Sequence, residues 1–79
     1  MRYSAAYGSW RDPEGVQRLN PTYDRHDIFR RAKEIAKKTG KAVTIQGAKG
    51  SGIGIRLEYW MIAPDGIIIQ LGEDLPYEQ

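Results

Sequence analysis

From Asp24 to Thr39 the apolar residues recur at helical spacing. Ile28, Phe29, Ala32, Ile35 and Ala36 fall in an arc of about 120° when each residue is turned by 100°, so one face of a helix must meet a core. Asp24 is placed to cap the first turn, Asp27 follows at capping-box spacing, and Tyr23 stands where a hydrophobic staple would pack on Ile28. Lys37 and Lys38 oppose the negative end of the helix dipole, and Gly40 suits the left-handed residue that ends a helix. The pattern predicts a helix over 24–39.

After the helix the period shortens to two. Val43 and Ile45 alternate within 42–46, and Ile53, Ile55, Leu57, Tyr59 and Met61 mark one side of a longer strand. Ala63-Pro64-Asp65-Gly66 then has the chemistry of a type I turn closed by a left-handed glycine. If Ala63 pairs with Ile67, then Ile62 meets Ile68, Met61 meets Ile69, Trp60 meets Gln70 and Tyr59 meets Leu71. This register gathers Tyr59, Met61, Ile67, Ile69 and Leu71 on one side, the expected core face. It leaves Trp60, Ile62 and Ile68 on the other.

The ends of the chain are less regular. Tyr3, Ala5 and Tyr7 suggest a short strand within an otherwise irregular, aromatic-rich arm over 1–21, and Asp12-Pro13-Glu14-Gly15 is a good turn. Residues 72–79 are acidic, contain Pro76 and read as a tail. The expected architecture is a single small α+β domain, one amphipathic helix packed on a three- to four-stranded antiparallel sheet, with the strands in 42–71. At 79 residues such a domain buries roughly 60% of its unfolded surface. Its stability is therefore thin.

Composition narrows the chemistry. The chain has no cysteine, and His26 is its only histidine, so no disulfide and no conventional zinc or iron–sulfur site is expected, nor any cofactor. The longest uncharged apolar run, from Tyr59 to Pro64, is far below the ~20 residues of a membrane span. With no signal-peptide order at the start, a cytoplasmic location and no membrane partner are expected.

Charge is sorted along the chain. Every Lys and Arg lies at or before Arg56: through Leu57 there are twelve bases against five acids, a balance of +7, and the rest carries five acids and no base. Between Arg25 and Lys38 six bases face two acids, with Arg30, Arg31, Lys33, Lys37 and Lys38 opposite or beside the apolar stripe. Lys41, Lys49 and Arg56 extend the same sign. Such a surface tracks phosphates, because each neutralised phosphate releases condensed counterions. The plain alternative is a solvated helix face, since Lys, Arg and Glu are good helix formers.

Two other features invite a function. The run Gly47-Ala48-Lys49-Gly50-Ser51-Gly52-Ile53-Gly54 is not a Walker A loop, because Ile53 and Gly54 stand where Lys and Ser or Thr are required. A strand follows the glycines, so the dinucleotide fingerprint fails as well. What remains is a flexible hairpin loop whose N–H groups and Lys49 reach toward phosphate, or a simple connector. Trp60, Ile62 and Ile68 form an apolar set suited to a protein partner, a homodimer being the simplest case, unless the N-terminal aromatics cover it.

Catalysis has little support. His26 and Arg30 share a helix face, which makes a metal-free ribonuclease a third reading. The expectation is a small non-catalytic nucleic-acid-binding or regulatory protein. Its alternative is an interaction module, a small inhibitor or adaptor.

Overall fold

Asp24 starts the helix as its sequence position requires, its carboxylate accepting the backbone N–H groups of His26 at 3.0 Å and Asp27 at 3.3 Å. In the computed structural model, which describes residues 1–50 and 54–74, helix α1 spans Arg25–Thr39 and ends at Gly40 in the left-handed region. Two details of the start differ from expectation. The N–H of Asp24 donates to the Thr22 hydroxyl at 3.1 Å, and the Asp27 carboxylate turns to two arginines, so the reciprocal capping box does not form. Tyr23 is 78% exposed and staples nothing.

Among the described residues the strands are β1 (Arg2–Tyr7), β2 (Gln17–Arg18), β3 (Val43–Gly50), β4 (Ile55–Ile62) and β5 (Ile68–Asp74). They form one antiparallel sheet in the order β2-β1-β3-β4-β5, so the α+β class holds with five strands. β2 comes from the expected irregular arm. The turn after Asp12 forms, with the Gly15 N–H donating to the Asp12 carbonyl at 2.9 Å, and returns the chain beside β1. The pairing continues beyond β2 through a bridge between Tyr3 and Thr22.

The β4–β5 hairpin turns as expected: Gly66 N–H donates to the Ala63 carbonyl and Ala63 N–H to the Ile67 carbonyl, each at 2.9 Å. Ile62 pairs with Ile68, Met61 with Ile69 and Trp60 with Gln70. A bulge then intervenes, and Tyr59 pairs with Gly72 rather than Leu71. Gly72 takes a φ of 146°, a value that disfavours any residue with a Cβ. The strand runs on to Asp74, so the segment expected as an acidic tail begins as paired strand, and residues 75–79 lie outside the described residues.

The largest correction concerns which face of β4 is inside. The helix packs on Trp60 and Ile62, which are 4% and 0% exposed, whereas Tyr59 and Met61 face away from it. Alternation determines which residues share a side but not which side is covered, and β4 is apolar on both. β3 makes the choice. Its Val43 and Ile45 pair with Ile62 and Trp60, while its polar Thr44 and Gln46 pair with Met61 and Tyr59. Ile28, Ala32 and Ala36 of α1 then close over Tyr3, Ala5, Val43, Ile45, Trp60 and Ile62. Fully burying each of the branched side chains contributes about 1.5–3 kcal/mol.

Nor is the glycine run all loop. β3 continues through Gly47 to Gly50, pairing Gly47 with Glu58 and Lys49 with Arg56. Ser51, Gly52 and Ile53 lie outside the described residues. Gly47 is a core position: a Cβ there would stand 2.8 Å from the Met1 sulfur, 3.1 Å from Tyr3 Cε1 and 3.2 Å from Trp60 Cζ3. At Gly50 the nearest atom is Ile55 Cγ1 at 3.7 Å, an ordinary contact.

Gly47→Val should therefore destabilise the fold by about 1–3 kcal/mol through overpacking. Gly50→Val should be neutral or stabilising, since β-branched residues suit strands. Urea midpoints of the two variants measure the contrast.

Candidate nucleic-acid interface

The outward face of α1 divides into cations that are already occupied and cations that are not. Asp27 accepts from Arg30 Nη2 at 2.8 Å and from Arg31 Nη2 at 3.2 Å, and Glu34 accepts from Arg30 Nη1 at 3.5 Å. Arg31 also donates to the Asn20 carbonyl at 3.0 Å, tying the helix to the chain that leads out of β2. Arg25 lies over the rings of Phe29 and Trp60, 5.0 and 4.9 Å from their centroids. Lys41 meets Asp12 at 3.2 Å. Lys33, Lys37 and Lys38 are exposed and form no ion pair among the described residues.

The expected phosphate-binding set is thus not one patch. β3 begins just after the helix ends and runs back beneath it, so Lys49 and Arg56 stand opposite one another at the end of the sheet remote from Lys37 and Lys38. The helix between these ends is about 22 Å long. Both Lys49 and Arg56 are exposed. Arg30, Arg31 and Lys41 act first as structural ties, although each keeps its charge.

The other expected surface, Trp60 with Ile62 and Ile68, is corrected. Trp60 and Ile62 are core under α1, and Phe29 meets the Trp60 ring edge-on at 5.3 Å between centroids. Ile68 alone of the three is exposed, at 42%. The helix contacts β1, β3 and β4 and stops short of it. Exposed apolar side chains gather instead along β4 and β5 at Ile55, Ile67, Ile69 and Leu71.

The sheet face away from the helix carries a feature sequence reasoning missed. Register places Arg2, Ser4 and Ala6 of β1 on this face, beside Arg18 of β2, Thr44 and Gln46 of β3, and Tyr59 of β4. They line a groove of about 300 Å³, walled on one side by Leu19 and Pro21. The alternation of Tyr3, Ala5 and Tyr7 contained half of this signal, since Arg2, Ser4 and Ala6 must take the opposite face. The missing half was β2, which two residues cannot announce by periodicity.

Among the described residues no three His, Asp or Glu side chains come together as a metal site would need. No described helix is long and apolar enough to cross a membrane. His26 is exposed in the first helical turn, and its neighbour Arg30 is shared between Asp27 and Glu34. In comparison with known proteins, the chain matches no family model, no curated protein and no solved structure.

Among the described residues one carboxylate, that of Asp12, is perturbed. The Ser9 N–H, 2.9 Å from Asp12 Oδ2, and secondarily the Lys41 ammonium hold Asp12 below the ordinary carboxylate range. A depressed folded value stabilises the protein above the unfolded value, and that contribution is lost as pH falls through the folded one. The stability gap between wild type and Asp12→Asn should therefore be open at neutral pH and narrow progressively below about pH 4. Urea midpoints across that range check the sign.

Proposed function

We propose that the chain is a small non-catalytic nucleic-acid-binding protein that holds backbone phosphates with Lys33, Lys37 and Lys38 and reads bases little. One observation carries this reading: these three ammonium groups remain on the helix surface without a carboxylate partner among the described residues, after Arg30, Arg31 and Lys41 have been engaged. Lys33 and Lys37 are one helical turn apart and project together. Unpaired lysines in that arrangement are point charges on long, mobile stems, suited to an irregular run of phosphates rather than to one fixed anion. Lys49 and Arg56, at the far end, add to the field that draws a polyanion in.

A protein-interaction module is the second reading. It rests on the exposed isoleucines and Leu71 of β4 and β5, now on the opposite face from the one expected. A second copy of the chain is the occupant favoured there, because the same strand β5 is an edge of the sheet among the described residues, and edge strands pair readily with another chain.

Charge reversal of Lys33, Lys37 and Lys38 to Glu should weaken binding to duplex DNA, single-stranded DNA or RNA. It should also flatten the dependence of log affinity on log salt by about one unit per lost contact. An unchanged slope overturns the helix-face reading. For the second reading, Ile69→Lys should convert a dimer to a monomer in sedimentation. A wild-type chain that sediments as a monomer at all concentrations overturns it.

A further inference from the structure

We propose that the groove on the open sheet face binds a nucleotide, with Arg2 and Arg18 on its phosphate and Tyr59, Gln46 and Thr44 around its base. This goes beyond the helix-face reading, because the groove lies on the opposite side of the sheet from α1.

The argument begins with the strand register. Arg2 pairs with Ala48 and Arg18 with Ala6, which sets the two arginines at the two ends of a stretch of β1 whose intervening open-face residues, Ser4 and Ala6, are small. Small side chains there make a floor. The chain leaving β2 makes one wall, held against β1 by the Leu19 N–H donating to the Ala5 carbonyl at 2.9 Å and by the Tyr3–Thr22 bridge. Tyr59, half-buried on β4, makes the other.

Charge within this groove is of one sign. Both arginines are exposed, and among the described residues neither forms an ion pair and no acidic side chain lines the groove. By register Arg18 lies beside Ala6, four residues or about 13 Å along β1 from Arg2, a span that two long side chains can close on one anion, and their planar forks match phosphate oxygens in pairs. A phosphate alone does not use the remainder. The volume of about 300 Å³ is at the lower end for small-molecule sites. The Gln46 amide and the Ser4 and Thr44 hydroxyls offer donors and acceptors together, as a base edge or a ribose requires. The Tyr59 ring supplies an aromatic wall of the kind on which bases stack.

Nucleotide chemistry has two sources, a free mononucleotide and a residue within a single strand. Amide shifts of the full chain, followed by NMR during titration with adenosine monophosphate, an eight-nucleotide single-stranded DNA and inorganic phosphate, separate them. Adenosine monophosphate should shift Ser4, Ala6, Arg18, Thr44 and Gln46. The double variant Arg2→Ala with Arg18→Ala should bind it at least about tenfold more weakly with an unchanged circular dichroism spectrum. Tyr59→Leu should weaken the nucleotide several-fold while leaving inorganic phosphate as it was.

Tighter binding of the octamer than of the mononucleotide, read at these amides and weakened by Arg2→Ala with Arg18→Ala, assigns the groove to a single strand. The reverse order assigns it to a free nucleotide. No shift at these amides with any probe overturns the proposal, as does inorganic phosphate binding as tightly as adenosine monophosphate. Lys33→Glu with Lys37→Glu should leave mononucleotide binding unchanged, which keeps this test separate from that of the helix face.

Discussion

Trp60 occupies space that Gly47 leaves empty, and the rest of the fold is arranged around that exchange. The indole lies where β3, β4, β1 and the helix converge: Tyr3 approaches it at 6.2 Å between centroids, Phe29 meets it edge-on, and Arg25 covers it from the helix. Aromatic pairs of this geometry contribute about 0.5–1.5 kcal/mol each beyond their area. The missing side chain and the large one are on the same face as Val43, Ile45 and Ile62, and that is the face on which the helix docks. Among the described residues no second helix lies on the opposite face of the sheet.

Much of this was legible in the residues, and what was not has physical causes. The helix was readable because its stripe, cap and stop signals agree; the β4–β5 turn was readable because Ala63-Pro64-Asp65-Gly66 is well suited to a type I turn closed by a left-handed glycine. The sign of the sheet was not. Ile53 to Ile69 is apolar on both sides, so parity alone left two equivalent solutions, and the polar Thr44 and Gln46 of β3 break the tie only once the β3–β4 register is known. Gly47 read as loop for a related reason. A glycine selected to admit a neighbour's ring looks, in sequence, like a glycine selected for mobility.

The candidate site was legible as a composition and less so as a geometry. Six bases in fourteen residues announce a positive helix, but spacing cannot say that Asp27 would leave its capping role to hold Arg30 and Arg31, or that Lys41 would reach back to Asp12. Those ties convert part of an electrostatic footprint into internal structure. Arg2 and Arg18 went the other way. Scattered in an aperiodic arm, they carry no signal until a two-residue strand places them on one concave surface.

The helix covers β1, β3 and β4 but not β5, and this offset divides the molecule energetically. Among the described residues, β5 is attached by one ladder of hydrogen bonds and by contacts to Ile62 and Met61, without a second layer above it. Opening that strand leaves the packing of α1 on β1, β3 and β4 in place, so its detachment requires less free energy than global unfolding. Amide protons of Ile68 to Leu71 would then exchange through a local event while those of Val43 and Ile45 wait for the whole domain to open, making two cooperative units of one small sheet.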